Sequence, residues 1–342
     1  MVLGASGLLA AGLASAATAA TAANAAATST WRTVLSVPNG TGFNLVDTVV
    51  ATGKTSGWAF LNNGAAYERT GTTAWKKVAF PGKNAAVVAA GASSPSNVWA
   101  AALGLAGTET KVYHWNGGKW ALAKTLPNGA DITALSVLGP DDVWIFGGLG
   151  KTGADGVFHF NGRQWTEVAA TLQGGSALSD SDVWAFSGTQ VAHFNGRKWT
   201  AVSVAKLLPP PSATHVSSSV TDIVALAPDN VYATGEDANP QAGPGVVLHY
   251  NGRGWSRVAE SGSFDSVPGK QLTSDGAGGL WIPAQTGTTS RLFRYSAGHV
   301  TAVTLPGGAT SVSVSRIPGT TDELSGGARY GTGYGDSVVL QS

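Results

Sequence analysis

The sequence predicts an all-β fold, a seven-bladed β-propeller of four-stranded antiparallel blades, on three observations. The first is an aromatic in a short apolar run that recurs along the 342 residues, at Trp58, Trp99, Trp144, Trp184, Tyr232 and Trp281, with intervals of 41, 45, 40, 48 and 49 residues. A period of about 40 to 50 residues is the length of one four-stranded blade. The second is a companion phrase, HWNGGKW from His114, HFNGRQW from His159, HFNGRKW from His193 and HYNGRGW from His249. The third is composition: 47 Gly and 12 Trp beside only 12% charged residues belong to short strands and tight turns rather than helices.

The elements of one blade can be read in order from the third repeat. Residues 131–139 alternate in polarity and form strand a, after which Pro140, Asp141 and Asp142 supply type I turn chemistry, with φ preset by the proline. VWIFGG is strand b, GVFHF is strand c and RQWTEV is strand d. Asn161-Gly162 between c and d predicts a type I′ hairpin, in which both central residues take positive φ. Counted this way, blades start near Phe43, Asn84, Asp131, Gly174, Ser219, Gln271 and Ala309.

The last blade has three strands and no Trp-x-x-Val strand, whereas Trp31-Arg32-Thr33-Val34 has that pattern and no blade. The N-terminal strand, residues 31–36, is therefore expected to complete the seventh blade at residues 309–342, which closes the ring and covers both sheet edges. The strand-b aromatics and the strand-d residues Trp75, Trp120, Trp165, Trp199 and Trp255 are expected to fill the gaps between blades. His114, His159, His193 and His249 share one phase of strand c, about 10 Å outside the innermost strand, where copies on different blades diverge. They are read as buried, hydrogen-bonded residues and not as ligands of one metal.

Residues 1–25 are apolar and Ala-rich with small residues at their end, and read as an export signal without a basic n-region. Residues 26–30 are a short linker and residues 31–342 a single domain. A secreted, extracellular monomer is the expectation, with no membrane insertion after the signal is cleaved. The absence of cysteine removes disulfides, zinc-thiolate sites and cysteine nucleophiles. A net charge of +1 provides no field for a phosphate backbone, so nucleic acid is not an expected partner. No residue pattern asks for a cofactor or a metal.

The blade formula, a hydrophobic strand, a glycine, an aromatic on strand c and a Trp opening strand d, resembles kelch-like propellers and the secreted propellers of actinobacteria over residues 31–342. The resemblance implies the ring architecture. It departs from kelch repeats in the double glycine after strand b, where Gly147-Gly148 fits and Gly326-Gly327 is displaced, and in the short spacing from Phe160 to Trp165. WD40 signatures and the S-x-D-x-G-x-x-W box of sialidase-type propellers are absent. The copper oxidases of the kelch-like group use a Tyr-Cys crosslink, which a chain without cysteine cannot form.

In an up-and-down blade the a–b and c–d turns share one face, and the b–c and d–a connections share the other. The long irregular segments, residues 103–110, 148–155, 206–218, 235–245, 260–270 and 330–336, all belong to the second face. Loop variation on a rigid scaffold is where binding is normally built. On that face Tyr330, Tyr334 and Phe264, with Asp265, Glu236, Asp237, Asn239 and Glu260, are the ligand-binding candidates, because aromatic faces beside carboxylates and amides suit sugar rings. His215 and His299 are unrepeated and read as surface residues. No nucleophile elbow, H-E-x-x-H or phosphate loop is present, so no catalytic residue can be named. The expected function is non-catalytic binding of a polysaccharide or an extracellular protein. The alternative is a carbohydrate-active hydrolase or lyase with acidic residues at the channel mouth, and a structural cell-surface role comes third.

Overall fold

In the computed structural model the described residues are 30–342, apart from 83–84, 105–108, 127–131, 148–155, 211–216, 238–243, 263–271 and 332. The export segment at residues 1–25 and most of the linker therefore lie outside the described residues. Seven antiparallel sheets of four strands follow one another. Blades 1 to 6 occupy residues 46–78, 85–126, 132–170, 174–203, 218–261 and 273–302, with strands in the order a, b, c, d outward from the axis. Blade 7 has strands Ser313–Arg316, Glu323–Arg329 and Asp336–Gln341, and its fourth is Arg32–Pro38. The register runs antiparallel from Arg32 opposite Gln341 to Pro38 opposite Asp336, with an irregularity between Thr33 and Leu35. The ring is closed as the unassigned Trp-x-x-Val pattern predicts.

The repeated aromatics explain why adjacent blades stick. A strand-d Trp meets the strand-b Trp of the preceding blade edge-on, Trp120 against Trp58 at 5.0 Å, Trp165 against Trp99 at 5.8 Å and Trp255 against Trp184 at 5.9 Å. Trp31 does the same to Trp281 at 5.4 Å and 87°, so the N-terminal strand behaves as a true strand d. The strand-b rings are buried, Trp58 and Trp144 to 1% exposure, whereas Trp75, Trp165, Trp199 and Trp255 are half-buried because one edge of strand d faces the outer rim.

Nearer the axis, hydroxyls link the innermost strands. Ser136 Oγ accepts from the Ala177 N–H at 3.1 Å, Ser176 Oγ from Ala225 N–H at 3.1 Å and Ser315 Oγ from Ala51 N–H at 3.0 Å, each reaching strand a of the next blade. The last of these spans the closure from blade 7 to blade 1. A strand-a amide that lacks a partner within its own sheet is satisfied by its neighbour, as a buried backbone group must be.

The c–d turns differ from the type I′ expectation. Phe160 pairs with Trp165, Trp115 with Trp120, Phe194 with Trp199 and Tyr250 with Trp255, which leaves four residues in each loop. Only the glycine has positive φ, +82° at Gly162 and +83° at Gly196. Asn161 Oδ1 accepts from the N–H groups of Arg163 and Gln164 at 3.1 and 3.0 Å, and Asn116, Asn195 and Asn251 repeat the arrangement. The asparagine side chain thus supplies the acceptor that closes the turn, an Asx turn, and no second residue with positive φ is needed. A Cβ on Gly162 would press on Asp141, and one on Gly196 on Ser181, at 2.7 Å in both cases. These contacts put c–d and a–b turns together on one face, and the longer b–c and d–a connections on the other.

Candidate functional site

On the long-loop face two connections are tied together by one residue. Asn39 stands just past the closing strand, is 8% exposed, and uses its whole hydrogen-bonding complement. Its N–H donates to Gly335 O at 3.1 Å, its Nδ2 donates to Asn44 O at 2.8 Å and Tyr334 O at 3.1 Å, and its Oδ1 accepts from Ser337 Oγ at 2.7 Å. The loop entering blade 1 and the b–c loop of blade 7 are thereby held side by side. Gly333 at φ +99° and Gly335 at +67° make the turn that brings Tyr334 outward.

The consequence is an aromatic patch in solvent. Phe43 is 71% exposed, Tyr330 54% and Tyr334 39%, and the rings of Phe43 and Tyr334 meet edge-on at 4.9 Å. Among the described residues the other exposed large apolar side chains are Leu122 and Val202, each on a strand d. Tyr330 and Tyr334 are where the sequence places them. Phe43 belongs with them and was legible only as the approximate start of a blade.

The acidic candidates go elsewhere. Glu236 lies near the end of strand b of blade 5, opposite Ser219, and Glu260 near the end of strand d, where it pairs with Arg257 at 2.6 Å. Asp237 ends the same strand b. Blade 6 separates all three from the tyrosines of blade 7. Asn239, Phe264, Asp265 and His215 lie outside the described residues, and His299 is exposed on strand d of blade 6.

The repeated histidines form a constellation of their own. Trp99 Nε1–H and His114 Nε2 both bond Asn97 Oδ1, at 3.0 and 2.8 Å; Trp144 and His159 share Asp142 Oδ1 at 3.1 and 2.9 Å; Trp184 and His193 share Asp182 Oδ1 at 3.0 and 2.9 Å. His249 bonds Asn230 Oδ1 at 2.9 Å. Each imidazole stacks on its cross-strand aromatic, with centroids 4.1 to 4.4 Å apart. Since an indole N–H can only donate, the shared atom is an acceptor oxygen and Nε2 carries the proton that it accepts; in a neutral ring of this tautomer the lone pair is on Nδ1. Burial pushes the pKa of His114 and His249 down. The histidines are half-buried, not buried as expected, because strand c leaves one ring edge open to the rim. Among the described residues no three His, Cys, Asp or Glu side chains gather as a metal site.

Around the axis a space of about 280 Å³ is lined by Val49, Ala90, Leu135, Val137, Val314 and Arg316, among others, with no carboxylate among its lining residues. Arg316 Nε donates to Thr320 O at 2.9 Å. Asp222 is buried on strand a of blade 5, accepting from Ile223 N–H at 2.7 Å and Leu272 N–H at 2.6 Å. Burial pushes its carboxyl up to about 6 despite those two bonds. It serves as a splice between blades 5 and 6.

No protein-family model matches the chain, and no curated protein matches it either. Solved propellers do resemble it in shape. YCF48 bound to D1 peptide superposes with a TM-score of 0.59 at 11% identity, covering 91% of this chain and 96% of that one. Virginiamycin B lyase from Staphylococcus aureus gives 0.61 at 12% identity, covering 91% and 98%. The WD40 propeller domain of Doa1 gives 0.57 at 11% identity, covering 91% and 96%. The likeness carries the seven-bladed architecture.

Proposed function

We propose that the protein is a secreted, monomeric, non-catalytic binding module that engages a polysaccharide or an extracellular protein through the long-loop face. The observation that carries the reading is the patch of Phe43, Tyr330 and Tyr334, three aromatics kept in water on loops that Asn39 holds in place. Exposing aromatic rings together has a solvation cost that the fold does not require, and such patches mark contact surfaces. Structural neighbours of this shape include one whose partner is a peptide and others that are enzymes, so the ring itself is neutral on the matter. A hydrolytic site at the channel mouth draws no support from the channel lining, where the charged side chain is Arg316.

The test is retention of the full chain on insoluble cellulose, chitin and xylan, with reducing ends assayed in the supernatant. Retention without products, lost when Phe43, Tyr330 and Tyr334 are replaced together by Ala, is the expected result. Released sugar would replace this reading with a hydrolase. No retention would move the same face to protein partners, and retention indifferent to the triple replacement would remove the face from the proposal.

A further inference from the structure

The outer rim holds the same cavity twice. Between blades 2 and 3, Trp99 and His114 of one blade face Phe160, Arg163 and Trp165 of the next around a space of about 460 Å³. Between blades 4 and 5, Trp184 and His193 face Tyr250, Arg253 and Trp255 around about 500 Å³. Even the third residue after the strand-d Trp recurs in the wall, Ala123 in one and Val202 in the other. The seam between blades 3 and 4 carries the same set, Trp144, His159, Phe194, Arg197 and Trp199, with Phe194 on Trp144 at 6.1 Å.

Packing accounts for the tryptophans but not for the arginines. Arg163, Arg197 and Arg253 are exposed, and the turn uses only their backbone N–H, which any residue supplies. Gly118 takes the same place in blade 2 and its turn closes identically. A side chain that recurs at both cavities and at the seam between them, though the turn itself does not require it, points to something held there.

We propose that these seams are equivalent saccharide-binding pockets, each taking one sugar ring, which makes the chain multivalent along its rim. The chemistry fits a hydroxylated ring with an apolar face. Half-buried indole and phenyl or phenol rings offer a stacking surface, the guanidinium offers donors, and the histidine, its Nε2–H committed to Asp182 or Asn97, offers the Nδ1 lone pair as acceptor. In the 4–5 pocket Thr200 and Ser203 add hydroxyls. Volumes of this size suit small ligands. Equivalent sites repeated around a ring suit a ligand that is itself repetitive, since a polymer spanning two of them gains effective concentration. The pockets are separate from the aromatic patch on the long-loop face, and the inference stands whether or not that face binds.

The seam between blades 1 and 2 provides an internal control. It has Trp58 and Trp120, but Glu68 stands opposite Trp58 where the others have His, and Gly118 replaces the arginine. The experiment is fluorine NMR of the full chain labelled with 5-fluorotryptophan, titrated separately with the methyl glycosides of glucose, galactose, mannose and N-acetylglucosamine to about 100 mM, enough to fill a site with Kd on the order of 10 mM. With one of these sugars the resonances of Trp165 and Trp255 should move along the same binding curve while that of Trp120 stays still. Arg163→Ala should weaken the Trp165 curve about tenfold and leave Trp255 unchanged, and Arg253→Ala should do the reverse. Replacing Phe43, Tyr330 and Tyr334 by Ala should change neither curve. No shift with any of the four sugars, a shift at only one of the two pockets, or loss of both curves in the triple variant would each overturn the proposal. The last of these would leave the long-loop face as the saccharide site.

Discussion

In blades 2 to 5 the strand-b aromatic is capped by a stacked histidine bonded to an Asn or Asp oxygen, whereas in blade 6 the same place opposite Trp281 is taken by Arg294. Its guanidinium lies over the indole at 5.4 Å and forks onto Asp275 Oδ2 at 2.8 and 3.1 Å. Blades 7 and 1 continue in this vein. Arg69 is 1% exposed and donates to Gln341 at 2.8 Å, and Glu323 is fully buried with Ser342 Oγ–H on it at 3.0 Å. The regular blades are capped by half-buried imidazole stacks, two of them on the carboxylates Asp142 and Asp182, and blades 6, 7 and 1 by ionisable groups that lie deeper, with Asp275, Glu323 and Arg69 all buried. The physical reason follows from what each must specify. Arg294 and Asp275 lie within one blade and fix its register, whereas Arg69 reaches Gln341 across the closure from blade 1 to blade 7, where a buried charge is costly when mispaired.

The comparison breaks or sharpens under three measurements. The largest effect belongs to the closing strand. Removing residues 1–30 should leave the melting temperature unchanged, whereas removing residues 1–34 takes away Trp31 and the start of the pairing and should cost about 4 kcal/mol, the scale of losing a core Trp. Equal melting of the two truncations would refute closure by this strand.

A middle-sized effect contrasts the two kinds of cap. Arg294→Ala strands Asp275, which is 4% exposed, and should cost about 3 kcal/mol in urea unfolding. His159→Ala leaves Asp142 near water and should cost only about 1 kcal/mol. Similar losses would erase the distinction between regular and closing blades.

The smallest effect is one of pH. Burial pushes the Glu323 carboxyl up to about 7 from an ordinary 4.5, so the folded state holds this proton more tightly than the unfolded one. Its contribution is intact below about pH 4.5, declines as pH rises to 7 and stays lost above. Glu323→Gln should therefore gain stability relative to the parent as pH rises, by about 2 kcal/mol at pH 8. A stability difference between parent and variant that does not change from pH 4 to pH 8 would mean that the closing blades carry no such buried proton.

The scaffold was legible in the sequence because its information is repeated. Six copies of a strand-b aromatic set the period, and Trp31-x-x-Val34 had only one vacancy to fill. The relations that register creates are not written in the sequence in this way. The Asx, Trp and His that meet at one oxygen are two and then 11 to 19 residues apart, as in Asp182, Trp184 and His193 or Asn230 and His249, so no fixed spacing announces them. Arg294 is recognisable as the substitute for histidine only once Trp281 is seen opposite it. Phe43 was hidden for another reason: it is a single aromatic in a connection, outside every repeat, and its meaning comes from Tyr334 nearly 300 residues later. The asparagine of the c–d turn advertises a backbone preference in the sequence, whereas its side chain does the closing.

The pairing of the first described strand with the last also sets a timetable. Blades 1 to 6 are made of neighbours and can form as soon as their own residues are available, but Ser36 meets Asp336, 300 positions further along the chain. The first strand must wait, unpaired, until residues 336–341 have been made, and through that interval two open sheet edges are offered to any other chain nearby. Non-local pairing of this kind is intrinsically slow, and a chain delayed there offers its unpaired first strand to the open edge of blade 7 in a second copy.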